Sequence, residues 1–150
     1  MSDTDTTARQ SLIIPALRPV YAGLETISET LLRVAAGVAL VVHGWPKIQN
    51  PTGSSGVFET MGLGPAGLLS VLLAAVEFFG GILLILGLLT RPAAAAALIV
   101  LLGTVWFHWV TLGQGYGGAE LSILWSAMLF FFAVRGGNAH SVDARIGKAF

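Results

Sequence analysis

The chain has no cysteine and very little charge. Without cysteine there is no disulfide, no thiol nucleophile, no cysteine-ligated iron–sulfur cluster and no cysteine zinc site, so any redox chemistry must be borrowed from a bound cofactor or a partner. Only 11% of the 150 residues are charged, against 55% hydrophobic, and the mean hydropathy is +0.79. That leaves too little polar surface to cover a soluble domain, which makes this an integral membrane protein in contact with the lipid bilayer. A formal net charge of zero and scattered basic residues give no electrostatic case for nucleic acid. The first ten residues lack the basic region and cleavage site of a signal peptide, and read as a polar tail kept in the mature protein.

What the chain does have is long apolar runs. Leu31 to Lys47, LLRVAAGVALVVHGWPK, carries Arg33 near one end and His43, Trp45 and Lys47 near the other. Hydrocarbon offers an arginine or a histidine no water, so each must find an internal partner, snorkel to an interface or line a wet cavity. The fold class read from the sequence is all-α: an integral membrane four-helix bundle with spans near residues 29–47, 66–89, 92–110 and 119–135, one domain over 29–135. Residues 1–28 are read as a tail and interfacial segment, with Pro15 and Pro19 breaking any long helix ahead of the first span. Residues 49–65, rich in glycine and proline, predict a loop with one interfacial turn of helix around Val57, Phe58 and Met61.

Gly87, Thr90, Arg91 and Pro92 end the second span and open the third as an antiparallel hairpin, while Gly113 to Gly118, GQGYGG, predict a tight turn before the fourth and shortest span. Residues 136–150 predict a short amphipathic helix capped by Ser141, with Val142, Ile146 and Phe150 on one side and Arg145 and Lys148 facing water. Arg9, Arg18, Arg91, Arg135, Arg145 and Lys148 fall on one side of the membrane and Lys47 on the other, which places both termini in the cytoplasm.

At helical spacing, Arg33, Gly37, Gly44 and Lys47 share a stripe of the first span, with His43 at its edge. Ser70, Ala74, Glu77 and Gly81 align on the second, and Ala94, Ala97, Leu101, Thr104 and His108 on the third. These small or polar seams predict faces turned toward other helices. Arg33 and Glu77, of opposite charge on adjacent antiparallel helices, are expected to pair, with His43, His108 and Glu120 gathered above them. A purely structural ion pair remains open for Arg33 and Glu77, as does a decorated helix end for His43 and Lys47.

Taken together, Arg33, HGWPK (43–47), GVFETMGL (56–63), VEFFGGILLILGLLTRPAA (76–94), Phe107 and His108, GYGGAE (115–120) and RGGNAHSVDARIGK (135–148) resemble the DoxX family of small four-helix bacterial membrane proteins. Ala119 departs from that pattern, in which an aromatic commonly precedes the glutamate. The resemblance implies a bacterial cytoplasmic-membrane protein linked to respiratory or stress redox chemistry, since a related subunit takes part in thiosulfate oxidation coupled to quinone. Together with the acid and base cluster it points to a membrane subunit of a quinone-linked oxidoreductase, with a polar pocket for a quinone or similar small hydrophobic molecule.

In that reading His43, His108, Glu77 and Glu120 are the candidate catalytic residues, and Arg33, Trp45, Lys47 and Tyr116 the candidate ligand contacts. The electron donor must be a soluble or membrane redox partner or a reduced small molecule, since the chain has neither cysteine nor a dinucleotide fingerprint. No metal is expected, and haem held by His43 and His108 is the less favoured cofactor. The seams permit a homo-oligomer without requiring one. The alternative is a non-catalytic binding or transport protein for a small hydrophobic molecule, or a membrane anchor for a soluble redox enzyme.

Overall fold

Thirty-two consecutive residues form the first helix, α1, Arg18–Gln49, in a computed structural model that describes residues 12–147. Pro15 opens a 3-10 turn, Pro15–Leu17, and Pro19 sits in the first turn of α1, where its missing N–H has no intrahelical partner to lose. The expected break ahead of the first span is therefore absent: the prolines start the helix instead of interrupting it. At about 48 Å, α1 is longer than the roughly 30 Å hydrocarbon layer, so part of it extends beyond that layer. Expectations for residues 1–10, Lys148 and Phe150 lie outside the described residues.

A six-residue helix, α2, Ser55–Thr60, occupies the following loop as the sequence suggests. The remaining spans are α3, Ala66–Leu86, α4, Thr90–Thr111, and α5, Gly115–Arg135. A short α6, Val142–Ile146, is capped by Ser141, whose hydroxyl accepts from the Ala144 N–H at 3.1 Å. Every regular element among the described residues is helical, and α1, α3, α4 and α5 are long and apolar enough to cross a bilayer. The chain is a multi-pass membrane protein. The tight turn expected over Gly113 to Gly118 is shorter than that: the reversal is complete by Gln114, and Gly115 to Gly118 already belong to α5. That gives α5 twenty-one residues, as many as α3.

The seams do bring the helices together. Ala36, Gly37, Leu40 and Gly44 of α1, Ser70, Ala74, Glu77 and Gly81 of α3, and Ala94, Ala97 and Leu101 of α4 are all buried. Leu40, Leu84, Leu101, Leu129 and Phe132 pack with the alanines of α4 into the core. Gly37 and Gly81 meet back to back: a Cβ on either would stand 2.7 Å from the other's carbonyl oxygen. Gly44 likewise lies against the backbone of Glu77 and Phe78. These contacts fix the antiparallel register of α1 on α3, because only residues without a side chain let two helix backbones come so close.

That register corrects the expected Arg33–Glu77 pair. Glu77 is level with Gly44, which is 11 residues or about 16 Å along α1 from Arg33, beyond a guanidinium's reach. Arg33 instead meets the far end of α3, donating from Nη1 to the carbonyls of Leu84 at 2.5 Å and Ile85 at 3.1 Å, and from Nη2 to that of His140 at 3.3 Å.

The C-terminal segment closes this end of the bundle. Asp143 accepts from the Leu89 and Thr90 N–H groups and from the Thr90 hydroxyl at 2.7–2.9 Å, and its own N–H donates to Gly87. Gly87 adopts the left-handed conformation, φ +69°, and a Cβ there would collide with Arg33 and Ser141. Burial pushes the Asp143 carboxyl pKa up, but the Thr90 and Leu89 hydrogen bonds and the Arg33 charge outweigh it and hold the group below its ordinary value. Asn138 ties the same segment to α1 through the Thr26 carbonyl and the Thr30 hydroxyl.

Candidate functional site

At the opposite end of α1, Lys47 lies one turn beyond Gly44 and so reaches over the residue that faces it. Its ammonium donates to both Glu77 oxygens, at 2.6 and 2.5 Å. Glu77 is buried, whereas the Lys47 side chain keeps 30% of its surface accessible. A buried carboxylate needs such a partner, since unpaired charge in a helix bundle is strongly disfavoured.

The pair borders a cavity of about 580 Å³. Its walls are Leu69, Leu72, Leu73 and Val76 of α3 and Ile99, Val100, Gly103 and Phe107 of α4, and its cover is Val57, Phe58, Met61 and Leu63 of the α2 loop. Ser70 holds that cover in place, donating to the Pro51 carbonyl at 2.7 Å and accepting from the Ser54 N–H at 3.0 Å. Polar residues are few: Lys47, Ser54, Glu77, Thr104 and His108. Ile99 and Leu72, both well exposed, stand where the gap between α3 and α4 meets the lipid-facing surface. The volume and the mostly apolar lining suit a small hydrophobic molecule with a polar head.

Both walls are locally irregular where they carry their ionisable residue. Val76–Gly80, which carries Glu77, and Phe107–Thr111, which carries His108, are single π-helical turns inside α3 and α4. Such turns insert one extra residue and re-aim side chains, and they are frequent at functional sites. His108 is tied to the turn after α4, with Nδ1 2.7 Å from the Gln114 Oε1 atom.

The structure thus gathers Lys47, Glu77 and His108 and disperses the other candidates. His43 is exposed on α1, with its ring edge-on to Trp125 of α5 at 5.4 Å, so it does not join His108 above the pair. One residue before Gly44, it falls on the side of α1 turned toward α5. Glu120 is exposed near the start of α5 and does not line the cavity. Trp45 packs on Phe78 at 5.7 Å and Tyr116 on Trp109 at 6.2 Å, both half exposed in the manner of membrane-interface aromatics. Ala119 is fully buried and not a cavity wall. Sequence reasoning missed Gln114 and Asp143. A signal for each existed, in Gln114 four residues before a glycine on the same helix face and in an acidic residue at the start of a Ser-capped helix.

Four membrane-crossing helices with a side cavity bordered by a Lys–Glu ion pair define a class of small helical membrane proteins. The DoxX family model matches residues 29–109, more than half of the chain, and the chain belongs to that family. It is 33% identical over 125 residues to an uncharacterized protein of Haemophilus influenzae, covering 78% of this chain and 89% of that one. It is 27% identical over 128 residues to "Inner membrane protein YqjF" of Escherichia coli, covering 83% and 96%. A third relative, "Putative oxidoreductase CatD" of Bacillus subtilis, is 34% identical over 79 residues, and the match spans 53% of this chain and 58% of that protein. No solved structure matches the chain.

Proposed function

We propose that this protein is a membrane subunit of a quinone-linked oxidoreductase in the bacterial inner membrane, and that its α3–α4 cavity takes a quinone or a closely similar small hydrophobic molecule. The observation that carries this reading is the cavity itself: apolar walls of about 580 Å³ beside the lipid-facing surface, with a charged pair and an imidazole at its polar groups. A bound quinone would supply two-electron, two-proton redox chemistry, which the cysteine-free chain lacks. Lys47 would donate a hydrogen bond to a ring oxygen, Glu77 would keep Lys47 charged and in place, and His108 would exchange a proton with the second oxygen. The walls from Leu69 to Val76 and from Ile99 to Phe107 would hold the ring and exclude water. Electrons would come from a partner protein or a reduced small molecule. The relative named as an oxidoreductase supports the class of chemistry, and the relative named as an inner membrane protein supports the location.

The test is mass spectrometry of lipids retained by the detergent-purified protein, wild type beside Lys47→Met and His108→Ala. Quinone held by the wild type and depleted in both variants is the expected result; wild type without quinone would defeat the reading. A soluble enzyme retained in its place would favour the anchor alternative. Cytoplasmic termini follow from the arginine distribution. Because the chain has no native cysteine, single cysteines at Ser11 and Gly62 can be labelled with an impermeant maleimide in intact cells. Labelling is expected at position 62 and not at 11.

A further inference from the structure

His108 lines the cavity, but its Nδ1 is committed to Gln114, which does not. With the Gln114 oxygen as the atom 2.7 Å from it, Nδ1 is the donor of this pair and carries the proton. In a neutral imidazole that leaves the lone pair on Nε2, the remaining nitrogen of a side chain that lines the cavity. Gln114 is held for this task twice over. Its backbone N–H donates to the His108 carbonyl at 3.0 Å, and its side chain lies in the space where a Cβ on Gly118 would collide with it.

We infer that Gln114 is a positioning residue that fixes His108 as a hydrogen-bond acceptor, and that the cavity is thereby selective for the reduced, hydroxyl-bearing ring, a hydroquinone, over the oxidised quinone. The inference rests on the quinone reading of the cavity and names which form of the ring it prefers. A hydroquinone carries O–H donors and can satisfy Nε2 while still accepting from Lys47. A quinone carries only acceptors; Lys47 can serve it, but Nε2 then confronts a carbonyl oxygen with no proton between them. Leaving a desolvated acceptor unmet in this way lowers affinity by about tenfold. Gln114 thus sets the preference without touching the ring.

The experiment is anaerobic titration calorimetry at pH 8 on the protein in nanodiscs, with decyl-benzoquinone and decyl-hydroquinone as probes and empty nanodiscs as reference. Wild type is expected to bind the hydroquinone about tenfold more tightly. Gln114→Leu should bring the ratio of the two affinities near one while quinone affinity stays within about twofold. Gly118→Ala, whose methyl would overlap both the Cβ and the Oε1 of Gln114, displaces that residue from His108 and should move the ratio in the same direction. Equal binding of both probes by wild type would overturn the inference and leave the cavity reading standing. A parallel loss of both affinities in the variants would make Gln114 merely structural and also overturn it. Binding of neither probe by folded wild type would defeat the cavity reading itself, and this inference with it.

Discussion

The two ends of the α1–α3 pair both bury charge, and they do so differently. At the Arg33 end the guanidinium is 1% exposed, three backbone carbonyls accept from its terminal nitrogens, and only Nε lacks a partner. Asp143 supplies the balancing charge while capping the start of α4. At the Lys47 end a single carboxylate faces a single ammonium, the neighbouring space is a cavity, and the helices on two sides of it are wound as π turns. Buried charge is therefore a poor guide to function by itself. What separates the ends is that one charge is consumed by backbone groups and chain closure, whereas the other borders space for a ligand.

Substitutions can break that contrast, and the largest effect is expected at the closed end. Asp143→Ala orphans two N–H groups, a hydroxyl and the Arg33 charge, and should destabilise the fold by about 3–5 kcal/mol, read as loss of membrane accumulation and of the thermal transition in detergent. The same network predicts an acid limb. Asp143 titrates lower folded than unfolded, so its contribution is complete above the unfolded carboxylate value near 3.9 and is lost as pH falls through the depressed folded value. Melts between pH 7 and 3 should show that loss in the wild type and not in Asp143→Asn, if the latter folds.

Next in size is Gly81→Ala, which sets a methyl 2.7 Å from the Gly37 carbonyl oxygen and 2.9 Å from the Val41 nitrogen. Because both ends depend on that crossing, it should cost about 1–3 kcal/mol and weaken ligand retention together with stability. Glu77→Gln should separate the two ends. Lys47 remains partly accessible through the cavity, so stability should fall by only about 1 kcal/mol while quinone retention is largely lost. A loss of folding as severe as that of Asp143→Ala would make the pair architectural and erase the contrast. Smallest is His43→Ala, which removes one edge-on contact with Trp125, about 0.5–1.5 kcal/mol, and should leave cavity binding unchanged. Loss of binding there would return His43 to the site.

Much of the site was legible before the fold, but its pairing was not. Ser70, Ala74, Glu77 and Gly81 were readable as an inward seam because helical spacing alone puts them on one face, and all four are buried. Lys47, Glu77 and His108 were legible as candidates because ionisable residues in apolar runs are rare and costly. Opposite charge is a false guide to their grouping, because it does not set the register of two packed helices. Gly37 and Gly81 are the better guide: placing them in contact sets Glu77 within one turn of Gly44, far from Arg33, and sets Arg33 level with Ile85, whose carbonyl it meets. Gln114 is hidden because glycines on both sides suggest a turn, and the π turns are hidden because helices apolar nearly all round carry no period for an inserted residue to break.

The sequence by itself determined the solvent, the four spans, the inward faces and the absence of thiol chemistry, since these depend on composition and on helical period, which are local. Only the tertiary structure decided which charge meets which. It placed Lys47 rather than Arg33 on Glu77, gave Arg33 to Leu84, Ile85 and His140, packed His43 against Trp125 of α5, and set His108 against Gln114. The reason is that partnership among buried ions is set by the axial offset of packed helices. That offset is fixed by where two backbones can touch, not by the charges that must then find each other.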